Sequence, residues 1–353
     1  MNAPHLMIMA GGTGGHVFPA LAVANYLRES GVKITWLGTK KGLEATVIPA
    51  KGIAIEWVAV EGLRGKGKLS LLLAPFKLVR AMWQSAMVIR KTQPDCILGM
   101  GGFVSGPGGL VARLLGKPLV VHEQNAVAGL TNKYLAKIAN KVLTGFPDVK
   151  DLPSSAQWLG NPVRNSIVAV NSNQSDKVNV LIIGGSQGAH SFNTKLPSVF
   201  SELDNSSVSI WHQSGQSRSA DVKSAYSANG VPAKVSEFID NMADAYAWAD
   251  LLVCRAGAMT IAECCAAGKP ALLVPYPFSA GNHQDFNAKT LVTVGAAQVF
   301  DNDQIESSDF KTALAALISD KSVLKKMGQQ AFSLHKPKSI EGVAHICQEF
   351  LNA

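Results

Sequence analysis

A chain of 353 residues with 47% hydrophobic and 16% charged residues is too long for one ordinary domain and too apolar for a disordered one. Its formal net charge of +8 is lopsided: residues 1–160 carry 18 Lys/Arg against 8 Asp/Glu, and residues 161–353 carry 15 against 17. Cys96, Cys254, Cys264, Cys265 and Cys347 make no CxxC pair, the start lacks a signal-peptide pattern and no apolar run reaches membrane-spanning length, so a disulfide scaffold is excluded and the expectation is a reduced chain that is neither exported nor membrane-spanning.

The first strand candidate, His5–Ala10, runs into Gly11-Gly12-Thr13-Gly14-Gly15-His16, and Val17–Ala24 continues with helical spacing. Strand, glycine turn and helix aim backbone N–H groups and a helix start at an anion. Further strand candidates are Lys33–Leu37, Ile53–Val58, Cys96–Leu98, Leu119–His122 and Val142–Thr144, and a second glycine turn spans Met100–Gly109. Alternation of short apolar runs with amphipathic stretches predicts a parallel sheet covered on both faces. Phe146–Pro162, with Pro147, Pro153, Gly160 and Pro162, reads as a linker. The alternation restarts at Val178–Ile183, with its own turn at Gly184–Ala189, and continues through Val208–His212, Lys234–Phe238, Leu251–Cys254, Ala271–Pro275 and Gln298–Phe300. The expected fold class is α/β, two Rossmann-like domains with parallel sheets. Such sheets bind ligands beyond the carboxyl ends of their strands, which places the expected main site in the cleft between the domains. Ser339–Leu351 has the spacing of a final helix.

The turns do not fit the commonest nucleotide signatures. A dinucleotide site wants a third glycine and an acidic residue after the second strand, but Val17 takes the glycine position and Trp36–Lys41 holds no carboxylate. No kinase-type P-loop occurs. His16, at a helix start that disfavours the imidazolium, is either a packing or capping residue or a neutral proton acceptor. Cys254–Glu263 reads as strand, small-residue turn and helix, and Glu263 stands among Ile261, Ala262, Cys264, Cys265 and Ala266, where a carboxylate wants a partner. Asn282–Ala288 brings amides and an imidazole near a strand end, suited to sugar hydroxyls. Asp301-Asn302-Asp303 matches a cation-binding D-x-D formally but lies in a polar turn, so no metal site is expected.

Leu69–Lys91 reads as a long helix that starts or kinks at Pro75. Leu71, Leu78, Met82 and Ile89 share one face, taken as core; Leu72, Phe76, Val79 and Trp83 form a second stripe bordered by Lys77, Arg80 and Lys91. Two apolar faces with a basic border suggest an element resting on an anionic membrane, against the alternative of a helix buried on two sides. Nucleic acid is not expected, because no recognition motif accompanies the charge.

In order along the chain, GGTGGHVFP (11–19), GLRGKG (62–67), GMGGFVSGPGG (99–109), HEQN (122–125), AGLTNK (128–133), GNPVR (160–164), GGSQGA (184–189), EFID (237–240) and the stretch 254–263 resemble the motifs of the MurG family, bacterial transferases that complete the lipid-linked peptidoglycan monomer. The resemblance implies a GT-B architecture with an acceptor-side domain over 1–160, a UDP-sugar domain over 161–337, and a last helix, 338–353, packing back on the first. It implies an inverting transfer of N-acetylglucosamine from UDP-N-acetylglucosamine to the C4 hydroxyl of the muramoyl unit of lipid I, at the cytoplasmic face of the bacterial inner membrane, with no required cofactor. Other cell-wall or division proteins are implied as further partners. Carried over residue by residue, His16 is the candidate general base. The donor set is Thr13, Gly14, Gly15, Asn125, Arg164, Ser186, Ile239, Ala258, Met259, Thr260, Ile261, Ala262, Glu263 and Gln284, with Glu263 on the ribose and Gln284 on the sugar. The alternatives are another GT-B UDP-sugar enzyme, either a soluble-acceptor transferase or an epimerase, and a non-catalytic UDP-sugar-binding scaffold.

Overall fold

The computed structural model describes residues 3–60, 73–167, 176–185 and 188–351. Ser186, Leu72, Leu71 and the stretch 62–67 lie outside these residues. The chain divides into two compact units, residues 1–163 with 337–353, and residues 164–336.

The first unit runs β1 (His5–Met9), α1 (Gly14–Glu29), β2 (Lys33–Gly38), α2 (Glu44–Ala50), β3 (Ala54–Trp57), α3 (Ala74–Thr92), β4 (Cys96–Gly99), α4 (Ser105–Leu114), β5 (Leu119–Glu123), α5 (Leu130–Leu135), β6 (Lys141–Thr144) and β7 (Gln157–Trp158). Its strands pair in parallel in the order β3-β2-β1-β4-β5-β6-β7, with Leu6 opposite Ile34 on one side and Cys96 on the other. β1 is buried along its whole length because helices cover both faces. Each βα connection returns the chain to the same edge, so every turn that follows a strand sits at the carboxyl end of the sheet.

The second unit repeats the plan: β8 (Val178–Ile183), α6 (His190–Ser201), β9 (Val208–Gln213), α7 (Ser219–Ala228), β10 (Ala233–Ser236), α8 (Met242–Trp248), β11 (Leu251–Cys254), α9 (Ala258–Ala267), β12 (Ala271–Leu273), α10 (His283–Thr293), β13 (Ala297–Val299), α11 (Ser308–Ser319) and α12 (Lys321–Phe332). Its parallel order is β10-β9-β8-β11-β12-β13. In both sheets the order reverses beside the first strand. Within the first unit the turns after β1 and β4 therefore flank that sheet's switch point, and within the second the turns after β8 and β11 flank its own. Three of the four are glycine-rich turns; the fourth is the small-residue turn of residues 254–263.

Two expectations are corrected. The stretch 146–162 is not a bare linker: Gln157 and Trp158 pair with Leu143 and Thr144, and Asn161 Nδ2 donates to Gln124 O at 2.9 Å. Two residues of strand carry too little pattern to be seen in sequence. The long helix begins at Ala74, with Pro75 in its first turn, where a missing N–H costs nothing. Its core face is Ala81, Ser85, Val88 and Ile89; Leu78, assigned to that face, is 49% exposed, because the face that packs inward is the one with small residues at Ala81 and Ser85. The last helix, α13 (Ser339–Leu351), belongs to the first unit, where Val343, Ala344 and Cys347 join Val17, Ala24 and Cys96 in one core. All five cysteines are free and buried.

Candidate active site

On the first unit the turn after β1 is held from behind by a carboxylate. Glu44, the first residue of α2, is fully buried; its Oε2 accepts the Gly12 N–H at 2.9 Å, and its Oε1 accepts the Thr39 N–H at 2.9 Å and hydroxyl at 2.8 Å. This corrects the reading of the whole run 11–16 as an anion cradle. The Gly12 N–H faces inward to a negative charge, and the outward donors are those at the start of α1, around Thr13, Gly14 and Gly15. Thr13 is the N-cap without a side-chain cap bond, which leaves those leading N–H groups to other partners.

His16 is the third residue of α1 and is half-buried. Its Nδ1 lies 3.4 Å from Thr13 Oγ1. The turn after β4 closes under the ring: a Cβ on Gly101, which has φ of +94°, would stand 2.6 Å from His16 Cδ2 and 2.7 Å from Nε2. A Cβ on Gly102 would collide with the Gly11 carbonyl. The two turns thus touch backbone to ring and backbone to backbone, and only glycine permits it. Ser105, fully buried, ties them further, its Oγ 2.8 Å from Met9 O and 2.7 Å from Gly101 O.

Asn125 lies on the neighbouring loop after β5. Glu123, 1% exposed, accepts the Asn125 N–H at 2.9 Å and Nδ2 at 3.1 Å, the Gly129 N–H at 3.0 Å and Asn132 Nδ2 at 2.8 Å. Asn132 Nδ2 is in turn 3.4 Å from the position of a Gly101 Cβ. Thr13, Gly14, Gly15, His16 and Asn125 are therefore one connected half-site, joined by three residues that sequence reading did not single out. Glu123 and Asn132 stand inside the HEQN and AGLTNK motifs without a role of their own there, and Glu44 lies outside every motif; their partners are distant in the chain or are backbone groups. Beneath them His122 is fully buried, and burial lowers its imidazole to about 4, so it is neutral.

On the second unit Glu263 is in the second turn of α9, its side chain 14% exposed. Tyr246 of α8, 1% exposed, donates its hydroxyl to Glu263 Oε2 at 2.9 Å, and Arg164 Nη2 stands 3.6 Å from Oε1. Burial raises the carboxyl above its ordinary range, while Arg164 and the Tyr246 hydroxyl pull it down. The partner that the carboxylate wanted is thus supplied within the unit by a phenol and a guanidinium. Ala258, Met259 and Thr260 form the first turn of α9, whose N-cap Gly257 has no side chain to cap it. Ile261 is 1% exposed, Ala258 7% and Ile239 5%, so these three can serve a ligand only through their backbones. Ala262 is half-buried beside Glu263. Gln284, in the first turn of α10, accepts the Tyr276 N–H on Oε1 at 2.8 Å, which leaves its Nε2 as the outward group.

Arg255, between β11 and α9, was passed over in sequence. It donates to the carbonyls of Val274 and Pro275 at 3.0 and 3.2 Å and to Ser191 Oγ and Asn302 Oδ1 at 2.9 Å each, tying three loops of this edge together. Asn302, the middle of the formal D-x-D, also accepts from Ser191 at 2.7 Å and so has a structural use. Among the described residues no group of three or more His, Cys, Asp or Glu side chains could hold a metal ion.

The stripe of α3 is a separate surface: Phe76, Val79, Trp83 and Met87 are exposed by 74, 66, 64 and 51%. Lys77 and Arg80 are exposed beside it. Among the described residues no helix is long and apolar enough to cross a membrane.

Residues 6–144 match the glycosyltransferase family 28 N-terminal domain and residues 179–343 its C-terminal domain. The UDP-N-acetylglucosamine–N-acetylmuramyl-(pentapeptide) pyrophosphoryl-undecaprenol N-acetylglucosamine transferase of Methylococcus capsulatus is 44% identical over 349 residues, 98% of this chain and 99% of that protein. Its counterpart in Shewanella halifaxensis is 45% identical over 350 residues, 97% of this chain and 96% of that one. The crystal structure of Acinetobacter baumannii MurG superposes with a TM-score of 0.83 at 35% identity, covering 98% of this chain and 99% of the other.

Proposed function

The chain belongs to the MurG family of glycosyltransferases, within glycosyltransferase family 28 and with the GT-B fold, and from that premise we propose how its two units divide the reaction. It transfers N-acetylglucosamine from UDP-N-acetylglucosamine to the N-acetylmuramoyl-(pentapeptide) unit of pyrophosphoryl-undecaprenol-linked lipid I, forming lipid II. The second unit holds the donor. Glu263, set by Tyr246 and Arg164, accepts the ribose hydroxyls; the first N–H groups of α9 face the diphosphate; Gln284 donates to a sugar oxygen. Ser186, outside the described residues, is assigned to phosphate on its motif alone.

The first unit handles the acceptor. The C4 oxygen attacks the anomeric carbon from the face opposite UDP, His16 takes its proton, and the bond to the diphosphate breaks with the electron pair leaving on UDP. The leading N–H groups of α9 meet the charge that develops on the diphosphate, so the reading needs no cofactor and no metal. The observation that carries the proton role is the His16 ring fitted over Gly101 between two glycine turns. General-base help is worth about 10²–10⁴ in rate. His16→Ala should therefore lose turnover by that factor, measured as lipid II formed from UDP-N-acetylglucosamine and a short-chain lipid I analogue, while calorimetric UDP affinity stays within about threefold. Near-normal turnover would remove His16 from the role.

The exposed stripe of α3 with Lys77 and Arg80 supports a peripheral seat on an anionic membrane, on the cytoplasmic side where a nucleotide-sugar donor is made. Cell-wall or division proteins that share this surface are a further expectation from the family.

A further inference from the structure

Glu123 has a geometry that does more than hold a loop. Each of its two oxygens receives two N–H groups: Oε1 from the Asn125 main chain and side chain, Oε2 from Gly129 and Asn132. Four N–H donors match the four lone-pair positions of a carboxylate. The Asn125 atom 3.1 Å from Oε1 is therefore the amide nitrogen, and its carbonyl oxygen is turned away from Glu123. Glu123 is itself held at the last position of β5, in register with Thr144 and with its carbonyl taking the Gly145 N–H at 2.8 Å.

We propose that Glu123 is a positioning residue that sets the polarity of the Asn125 amide, so that Asn125 meets the sugar with a carbonyl oxygen and recognises a hydrogen-donating group on it. The proposal rests on the place that the family resemblance gives Asn125 in the donor set, taken here as contact with the sugar of UDP-N-acetylglucosamine. Through Asn132 the same carboxylate reaches the Gly101 turn that closes under His16, so one buried charge orders both the recognising amide and the floor beneath the proton acceptor. An amide in its place would offer one acceptor oxygen and one NH2 group, and the NH2 would confront the two donors that one of the carboxylate oxygens now accepts.

The test is a polarity swap read with UDP-N-acetylglucosamine and a short-chain lipid I analogue. Glu123→Gln should lower turnover about 100-fold while leaving calorimetric UDP affinity within about threefold. Asn125→Asp sets two carboxylates side by side and should fall as far. In Glu123→Gln/Asn125→Asp the new amide donates to the new carboxylate, whose other oxygen still faces the sugar, while the main-chain N–H at position 125 still confronts that amide; turnover should recover partly, about threefold over either single variant. A scaffold role for Glu123 produces no such recovery. A double variant no better than the singles, or either single variant with wild-type turnover, overturns the proposal while leaving the reaction intact. Wild-type protein that forms no lipid II overturns the reading beneath it as well. If Glu123→Gln fails to fold, judged by melting, the comparison of Asn125→Asp with the double variant decides.

Discussion

At the scale of single residues, the candidate site is built on buried carboxylates whose partners the sequence does not announce. Glu263 stood out because an unpaired charge among isoleucine, alanine and cysteine is expensive; Tyr246, which pairs with it at 2.9 Å, did not, since nothing in its own neighbourhood marks it. The roles of Glu44 and Glu123 are hidden for the same reason, as their donors are backbone groups and amide or hydroxyl side chains that no spacing marks. The Glu263 reading has a pH signature. Ribose hydroxyls need the ionised acceptor, and burial places this carboxyl above the ordinary range. UDP affinity should therefore fall on acidification at a higher pH than for an exposed glutamate, and Glu263→Ala should lower it about 10- to 100-fold at neutral pH and flatten that profile. Calorimetry across pH checks both, and an unchanged affinity removes Glu263 from the ribose. The same shift means that, between the ordinary carboxylate range and its own, the folded chain keeps a proton the unfolded chain has released. Glu263 thus costs stability as pH rises through that window.

At the scale of elements, hydrophobic spacing located the strands well and one helix face poorly. Val178–Ile183 and Leu251–Cys254 have the bounds their patterns predict, because buried parallel strands read as continuous apolar runs, and helix Ser339–Leu351 has the bounds that its helical spacing predicts. In α3 the wheel found apolar stripes but could not say which one the neighbouring helix covers, and the small residues Ala81 and Ser85 took the buried face. Close helix packing favours small side chains, which pattern reading undervalues. The face that remains, Phe76 to Met87 with its basic border, is the one proposed to rest on lipid. Phe76→Glu with Trp83→Glu should cut co-flotation with anionic vesicles severalfold and leave turnover of a short-chain acceptor in detergent within about threefold. Undiminished flotation would show that this face does not touch the membrane.

At the scale of the whole molecule, each unit buries a neutral histidine that will register acid. Burial lowers His122 to about 4 in the first unit and His212 to about 3 in the second, against about 6.5 in an unfolded chain. Below pH 6.5 the unfolded chain takes up protons that the folded units refuse, so each unit should lose about 2 kcal/mol by pH 5. Thermal melting between pH 7 and 5 checks this, and a melting temperature that stays flat over that range would contradict it. Glu263 acts in the opposite sense over part of the window, but as one group against two. What the sequence by itself determined is the doubled α/β plan, the glycine turns, His16, the wanted partner of Glu263 and the family, since all of these are local patterns or ordered motifs. What only the tertiary structure decided is which groups meet at the carboxyl edges: Glu44 behind Gly12, Gly101 beneath His16, Glu123 on Asn125, Tyr246 and Arg164 on Glu263. Those pairings follow from strand order and burial. Both are properties of how distant segments pack, and no spacing along the chain encodes them.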